Sequence, residues 1–268
     1  MELIRLSEKD IIESTGHSSK GNQPKWFLND IWYKADHMGY EGLAEIVVSR
    51  LLKKTNIENF VLYYPVKIEF SDYNRSGCFS YNFLKKDEEL ITIERLHRLY
   101  EGVGLSRKLQ ELNSAKEKIK YTVDFTQNVT GLKDFSSYLT AMLEIDAFFL
   151  NEDRHTNNIA FIRNSETKKF RLCPYFDQGL SLLSDLEGFW LDGDTDKHIM
   201  RVEAKPFGSF KTQVSAVREL YGKQLEIKFK PKDVETELCD MKEYYNDNIL
   251  NRVEYIITKQ LKENSSSF

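Results

Sequence analysis

The 268-residue chain is poor in cysteine and proline and has no long apolar run. Its three cysteines, Cys78, Cys173 and Cys239, lie far apart, and no paired Cys or His spacing predicts a zinc site. No segment approaches the roughly 18 consecutive apolar residues of a membrane span, so we expect no membrane insertion. The first residues, MELIRLSEKD, do not have the pattern of a signal peptide. We therefore expect a cytoplasmic protein.

The chain also lacks an excess of charge of one sign. It has 38 Lys and Arg against 42 Asp and Glu, a net charge of −4 and a pI of about 5.9. A dedicated nucleic-acid binder usually shows a basic footprint, so we expect no direct nucleic-acid binding. Hydrophobic residues make up 41% of the chain. This content is enough for one large domain or for two lobes around a cleft.

The first part of the chain, residues 1–86, has the pattern of a small β-sheet that carries one helix. Residues 11–34 are interpreted as a strand, a glycine-containing turn and a second strand, WFLNDIWYK. Apolar residues recur at helical spacing from position 40 to position 52. The segments 60–70 and 77–84 are aromatic and β-branched, which predicts two further strands.

The second part, residues 87–268, is mostly helical in pattern. The predicted helical segments are 89–120, 134–150, 209–222 and 233–264. Asp134 is expected to cap the buried helix that follows it. Between the helices, the polar turn RNSETKK joins two short strand-like segments, NIAFI and FRLCPYF, into a predicted hairpin. The chain as a whole is therefore predicted to be an α+β protein.

A dense polar cluster, LNEDRHTNNIAFI at 150–162, separates the buried helix from the first strand of this hairpin. Asp153 follows the helix, and Asn158 lies five residues later. Asp177 follows the second strand in YFDQG, and Gly179 is expected to let the backbone turn sharply there. Because a hairpin brings both of its ends to one side, we expect Asp153, Asn158 and Asp177 to converge on one cleft.

An acid, an amide and a second acid in this order indicate phosphoryl transfer from a nucleotide. Such transfer needs a carboxylate that accepts the proton of the acceptor hydroxyl, and oxygen ligands for Mg²⁺. Asp153 is the candidate base, and Asn158 and Asp177 are the candidate metal ligands. We therefore expect ATP and Mg²⁺ as cofactors.

The motifs also resemble a known family. The interval from Asp153 to Asn158, followed by DQG, is similar to protein kinases, and the form Asn-x-Asp-x-His-x-x-Asn resembles the HipA-like kinases. STGHSSKGNQPKWFL resembles their phosphate loop, and EGLAEIVVSRLL, GCFSYNFL and KPFGSF resemble the short CtkA-like branch. The resemblance covers residues 12 to 222. It implies a protein-kinase-like two-lobe fold, with a small β-rich N-lobe (1–86) carrying one helix and a larger helical C-lobe (87–268).

The resemblance assigns roles to several residues. It implies that Lys34 holds the α- and β-phosphates and that Glu45 is its helix partner, with Glu41, one turn earlier, as the alternative. His155 is expected to position Asp153 or a phosphate. The implied activity is that of a serine/threonine protein kinase that phosphorylates a protein substrate and also itself.

Other implied positions surround the nucleotide. The loop residues expected over the phosphates are Ser18, Ser19 and Lys20, and Lys25 belongs to the same motif. Phe83 and Leu84 are expected near the hinge against adenine. Ser14, Ser18 and Ser19 are the candidate sites of autophosphorylation.

Several alternatives remain open on the sequence. The same constellation serves small-molecule or lipid kinases, and a kinase-fold protein can bind nucleotide without catalysis. A transition-metal hydrolase using Asp153, His155 and Asp177 is a further alternative. The family resemblance also implies a small inhibitory antitoxin-like partner protein, and it allows delivery of the chain to another cell.

Overall fold

A five-stranded sheet and one helix form the N-terminal part of the structure, a computed structural model that describes residues 3–12, 23–71 and 73–264. The strands are β1 (Leu3–Arg5), β2 (Lys25–Leu28), β3 (Ile31–Ala35), β4 (Tyr64–Phe70) and β5 (Tyr73–Tyr81). Their order across the sheet is β1-β4-β5-β3-β2. Strands β1 and β4 are parallel and the other pairs antiparallel. The predicted small sheet is therefore present.

The segment predicted as one strand, WFLNDIWYK, is instead a hairpin of β2 and β3. Its turn residues Asn29 and Asp30 have φ of 51° and 61°, in the left-handed region. Asn and Asp tolerate this region better than other non-glycine residues, and two such residues make the tight turn that suits paired strands. The hairpin places Lys25 directly opposite Lys34.

Helix α1 (Glu41–Leu52) packs across this sheet, as its apolar spacing predicts. Apart from Arg50, every residue of the helix is buried. Two glycines allow the close approach: a Cβ on Gly42 would lie 2.7 Å from the backbone of Gly77 in β5. Glu41 accepts hydrogen bonds from the backbone amides of residues 37–39, which fixes the first turn.

The C-terminal part contains a three-stranded antiparallel sheet and most of the helices. The strands, in the order β6-β7-β8, are β6 (Glu88–Thr92), β7 (Ala160–Asn164) and β8 (Phe170–Leu172). The helices are α2 (Ile93–Glu101), α3 (Leu105–Gln110), α4 (Ala115–Thr130), α5 (Phe135–Phe149), α6 (Thr195–Arg201), α7 (Phe210–Tyr221), α8 (Pro231–Leu238) and α9 (Asp247–Glu263). The predicted hairpin and the predicted α+β architecture are confirmed.

Two local predictions in this part are wrong. The helix-rich pattern from residue 89 includes β6, because Glu88–Thr92 pairs along its whole length with β7 before α2 begins at Ile93. Asp134 precedes α5, but its side chain makes no capping hydrogen bond. Its backbone, with φ of −83° and ψ of 2°, is not in the extended conformation that a capping residue adopts.

One continuous hydrophobic core joins α1 to the helices of the C-terminal part, and it includes most apolar residues of α5. A second, smaller core lies on the opposite face of the five-stranded sheet, around Trp26 and Tyr33. The predicted lobe boundary at residues 86 and 87 stays a prediction. Across the described residues, no helix has both the length and the apolar composition needed to cross a membrane.

The burial of α1 predicts a large effect of Leu43→Ala, because the Leu43 side chain is fully buried. We expect a loss of about 2–5 kcal/mol in the free energy of unfolding, measured by urea denaturation. Leu99→Ala is the matched control, since Leu99 is 65% exposed, and should change this energy by less than about 0.5 kcal/mol. Equal losses in the two variants would contradict the packing of α1.

Candidate active site

Lys34 links three elements of the structure. It lies on β3, and its Nζ forms an ion pair with Glu45 on α1 and lies 3.1 Å from Oδ1 of Asp177. The other carboxylate oxygen of Glu45 accepts the backbone amide of Gln178 at 2.8 Å. Glu41 instead bonds backbone amides at the start of α1. The partner of Lys34 is therefore Glu45 and not Glu41.

Lys34 and Asp177 each stabilise the charged form of the other. Burial alone would lower the pKa of Lys34, but Asp177 and Glu45 outweigh burial and raise this pKa well above its usual value. Burial would likewise raise the pKa of Asp177, but Lys34, together with Lys25, lowers it. Lys34 and Asp177 are therefore both charged near neutral pH.

A buried guanidinium holds the backbone around Asp153 in place. Arg154 forms a two-point ion pair with Asp146 of α5, at 2.8 Å and 3.1 Å, and both side chains are buried. Its Nη1 also donates to the carbonyl oxygens of Asn158 at 2.8 Å and Phe176 at 3.1 Å, and its Nη2 to that of Asp177 at 3.4 Å. One side chain therefore brings the loop after α5 and the segment after β8 together.

Asn151 adds a second set of bonds between the same segments. Its amide nitrogen donates to Asp146 at 3.0 Å and to the side-chain oxygen of Gln178 at 3.1 Å. Its amide oxygen accepts the backbone amide of Asp153 at 3.0 Å. The backbone of Asp153 is thus fixed from the helix side and from the DQG side at once.

Basic groups face both carboxylate oxygens of Asp153. Lys205 Nζ lies 3.1 Å from Oδ1, and His155 Nε2 lies 3.5 Å from Oδ2. His155 Nδ1 accepts the backbone amide of Asn157 at 3.2 Å, so the neutral imidazole carries its proton on Nε2, toward Asp153. This geometry is suited to the positioning role expected of His155.

Asn158 and Asp177 present oxygen atoms of the kind that Mg²⁺ prefers. The amide nitrogen of Asn158 donates to the backbone oxygen of Asp153 at 2.9 Å, which leaves the amide oxygen as an acceptor. One oxygen of the ionised Asp177 carboxylate, Oδ1, accepts a hydrogen bond from Lys34. The second oxygen, Oδ2, is the candidate metal ligand. A carboxylate and an amide oxygen on neighbouring segments fit a hard divalent cation.

The sharp turn of the DQG segment lies at Asp177 and not at Gly179, where it was predicted. Asp177 has φ of 62°, in the left-handed region that Asp tolerates. A Cβ on Gly179 would lie 3.6 Å from Glu41 and 3.7 Å from Glu45, at ordinary contact distance. Gly179 therefore packs against α1, while Asp177 makes the turn.

The remaining predicted nucleotide positions fall into two groups. The loop residues Ser14, Ser18, Ser19 and Lys20 lie outside the described residues. Phe83 and Leu84 lie after β5, on the connection to β6, and the Phe83 ring packs on Phe176 at a centroid distance of 6.1 Å. Because Phe176 precedes Asp177, this connection contacts the segment that carries the candidate metal ligand.

An aromatic pair that was not predicted from the sequence lies on the face of the five-stranded sheet that carries Lys34, here called the cleft face. Trp32 lies two residues before Lys34 on β3, and strand alternation places both side chains on one face. Phe27 is opposite Trp32, and their rings lie 4.8 Å apart. The spacing from Lys34 was the signal that would have identified Trp32.

Asp146 and Lys205 were also missed, for a different reason. Asp146 lies inside α5, where helical periodicity indicates packing only. Lys205 is 52 residues after Asp153 and reaches it only through the tertiary fold. No local pattern in the sequence assigns either contact.

The α+β architecture is a kinase-like fold, as comparison with solved structures shows. The chain is similar to the proinflammatory kinase CtkA of Helicobacter pylori, with a TM-score of 0.62 and 15% identity over 97% of this chain and 94% of that chain. The resemblance to the CtkA-like kinases is thus confirmed at the level of the fold. No protein-family model and no curated protein matches the chain.

A second solved structure is the complex of the Shewanella oneidensis MR-1 toxin–antitoxin system HipA, HipB and its operator DNA. The match has a TM-score of 0.47 and 11% identity, and it covers 95% of this chain and 65% of that chain. This chain therefore spans slightly less than two thirds of the matched chain's length.

The hydrolase alternative requires a cluster of transition-metal ligands. In the ranges 3–12, 23–71 and 73–264, no group of three or more His, Cys, Asp and Glu side chains is arranged to hold a metal ion. Asp153 and His155 do lie side by side. Asp177 is instead paired with Lys34.

The Arg154–Asp146 pair predicts that Asp146→Asn is strongly destabilising, because it leaves a buried guanidinium without its carboxylate. We expect a loss of about 3–5 kcal/mol in the free energy of unfolding, measured by urea denaturation. Asp124→Asn is the matched control, since Asp124 pairs with Lys120 on an exposed helix face and should matter little. A small effect of Asp146→Asn would show that Arg154 is not held as described.

The lowered pKa of Asp177 predicts a pH-dependent effect of Lys34→Met. A carboxylate whose folded-state pKa lies below its unfolded value stabilises the fold above about pH 4 and loses this contribution as the pH falls. Lys34→Met removes the main cause of the lowering. The gap in unfolding free energy between wild type and variant should therefore narrow from pH 5 to pH 2 in urea titrations. A constant gap would rule out this linkage.

Proposed function

We propose that the chain is an ATP- and Mg²⁺-dependent kinase of HipA-like type that phosphorylates serine or threonine hydroxyls of proteins. The observation that carries this proposal is the buried Lys34, which contacts both Glu45 and Asp177 beside the loop that holds Asp153. A nucleotide phosphate site, a metal ligand and a candidate base are thereby linked in one hydrogen-bonded network. The kinase-like fold supports this assignment.

The proposed nucleotide site lies on the cleft face of the five-stranded sheet. Lys34, held in its charged form, is positioned to donate to phosphate oxygens. Trp32 and Phe27, on the same face, offer aromatic surface on which a base can stack. Phe83 and Leu84 lie on the connection where adenine is expected.

Asn158 and Asp177 would hold Mg²⁺ through their side-chain oxygens. The ion, when bound, supplies charge neutralisation for the phosphate oxygens. The chain's own contribution is orientation. Arg154 fixes the backbones of Asn158 and Asp177, and the Asp153 carbonyl fixes the amide of Asn158.

Asp153 is the proposed general base. Its carboxylate would accept the proton of the acceptor hydroxyl as that oxygen forms its bond to the γ-phosphorus of ATP, while the bond from this phosphorus to the ADP oxygen breaks and ADP leaves. His155 and Lys205 face the two oxygens of the carboxylate and would orient it toward the acceptor hydroxyl. The same geometry serves a small-molecule or lipid kinase, which remains the second candidate function.

Further parts of the proposal rest on the motif resemblance. We propose autophosphorylation at Ser14, Ser18 or Ser19, inhibition by a small antitoxin-like protein, and action either in the cytoplasm or after delivery to another cell. A kinase-fold protein that binds nucleotide without catalysis is the alternative that phosphate transfer by the wild type would exclude.

The proposed base predicts that Asp153→Asn lowers phosphate transfer by about 100- to 10,000-fold. The measurement is incorporation of labelled phosphate from ATP with Mg²⁺, into the chain and into a protein acceptor, with sites mapped by mass spectrometry. Asp124→Asn, on an exposed helix face, serves as the control and should retain wild-type transfer. Unchanged transfer in Asp153→Asn would remove Asp153 as the base, and no transfer by the wild type would refute the kinase.

A further inference from the structure

A cavity of about 240 Å³ lies beside Asp153, next to His155 and Lys205. It is lined by α3, the start of α4, the loop at His155 and Thr156, and the segment before α7. The polar side chains that line it are Ser106, Gln110, Lys118, His155, Thr156 and Lys205. Nothing in the proposed nucleotide site uses this cavity.

Two lining residues connect the cavity directly to the candidate base. His155 and Lys205 both line it, and both face the carboxylate of Asp153, at 3.5 Å and 3.1 Å. A ligand in the cavity therefore lies one side chain away from Asp153. This is the position that the group next to an acceptor hydroxyl would occupy.

The lining of the cavity is basic. Lys118, Lys205 and His155 are its ionisable side chains, and among the described residues no acidic side chain forms an ion pair with Lys118. Lys205 has Asp153 as its partner. The half-buried ammonium of Lys118 is thus available to an anionic ligand in the cavity.

One acidic residue, Glu94, contacts the lining residues from outside the cavity, and it leaves the lining basic. Glu94 accepts hydrogen bonds from Ser106, through the backbone amide at 2.8 Å and the hydroxyl at 2.9 Å, and from the Thr156 hydroxyl at 2.7 Å. Arg98 lies 3.6 Å from it. Its carboxylate holds the lining residues in place and faces a cation of its own.

We propose that this cavity is an acceptor subsite that binds an acidic side chain next to the hydroxyl to be phosphorylated. The substrate class is then a serine or threonine within an acidic segment of a protein. This inference rests on the kinase function proposed above. It assigns Lys118 to substrate binding and gives Lys205 a second role beside the positioning of Asp153.

The test uses the full chain, ATP, Mg²⁺ and three synthetic peptides with one serine each, identical except that the residues flanking the serine are Glu, Gln or Lys. We expect kcat/KM for the Glu peptide to exceed that for the Lys peptide at least about tenfold, since one charge contact is gained and one repulsion avoided. Lys118→Glu should reverse this preference. Lys120→Glu, the same change on the exposed face of α4, should leave it unchanged.

The outcomes separate this inference from the kinase proposal. Equal labelling of the three peptides, or label on the chain itself but on no peptide, would sustain the kinase and overturn the acidic acceptor. A preference for the Lys peptide would do the same. No label on the chain or on any peptide would overturn both proposals. The wild-type comparison stands even if Lys118→Glu does not fold.

Discussion

Burying a lysine ammonium is costly unless carboxylates accompany it, and this constraint shapes the site around Lys34. Glu45 comes from α1 and Asp177 from the segment after β8, so the ammonium ties the five-stranded sheet to both. If α1 or the DQG segment moved away, a buried charge would lose its partner. The position of α1 and the conformation at Asp177 therefore depend on the same ion-pair group.

The second constraint is the Arg154–Asp146 pair, which lies deeper in the C-terminal part. Asp146 lies on the rigid helix α5, and Arg154 also donates hydrogen bonds to the carbonyl oxygens of Asn158 and Asp177. The pair therefore fixes the positions of these two residues relative to α5. The proposed catalytic groups are oriented in this arrangement by packing and hydrogen bonds before a substrate arrives. Such preorganisation is what phosphoryl transfer requires from a protein.

The roles of Asp153 and Asn158 stay predictions. Periodicity and spacing predicted the main helices, since both kinds of signal are local. They failed where one or two residues determine the path of the backbone. In WFLNDIWYK, Asn29 and Asp30 have positive φ and form a turn between two strands. Strand Glu88–Thr92 was missed because its partner β7 lies some seventy residues later. The contact of Lys205 with Asp153 likewise arises only from the tertiary fold.

We propose that Lys34, Asp177 and Asn158 form a nucleotide and metal site. The decisive measurement is calorimetric titration of ATP, with and without Mg²⁺, into wild type and Asp177→Asn. We expect Mg²⁺ to strengthen ATP binding to the wild type and this gain to disappear in Asp177→Asn. Failure of the wild type to bind ATP, or an unchanged Mg²⁺ effect in the variant, would contradict it.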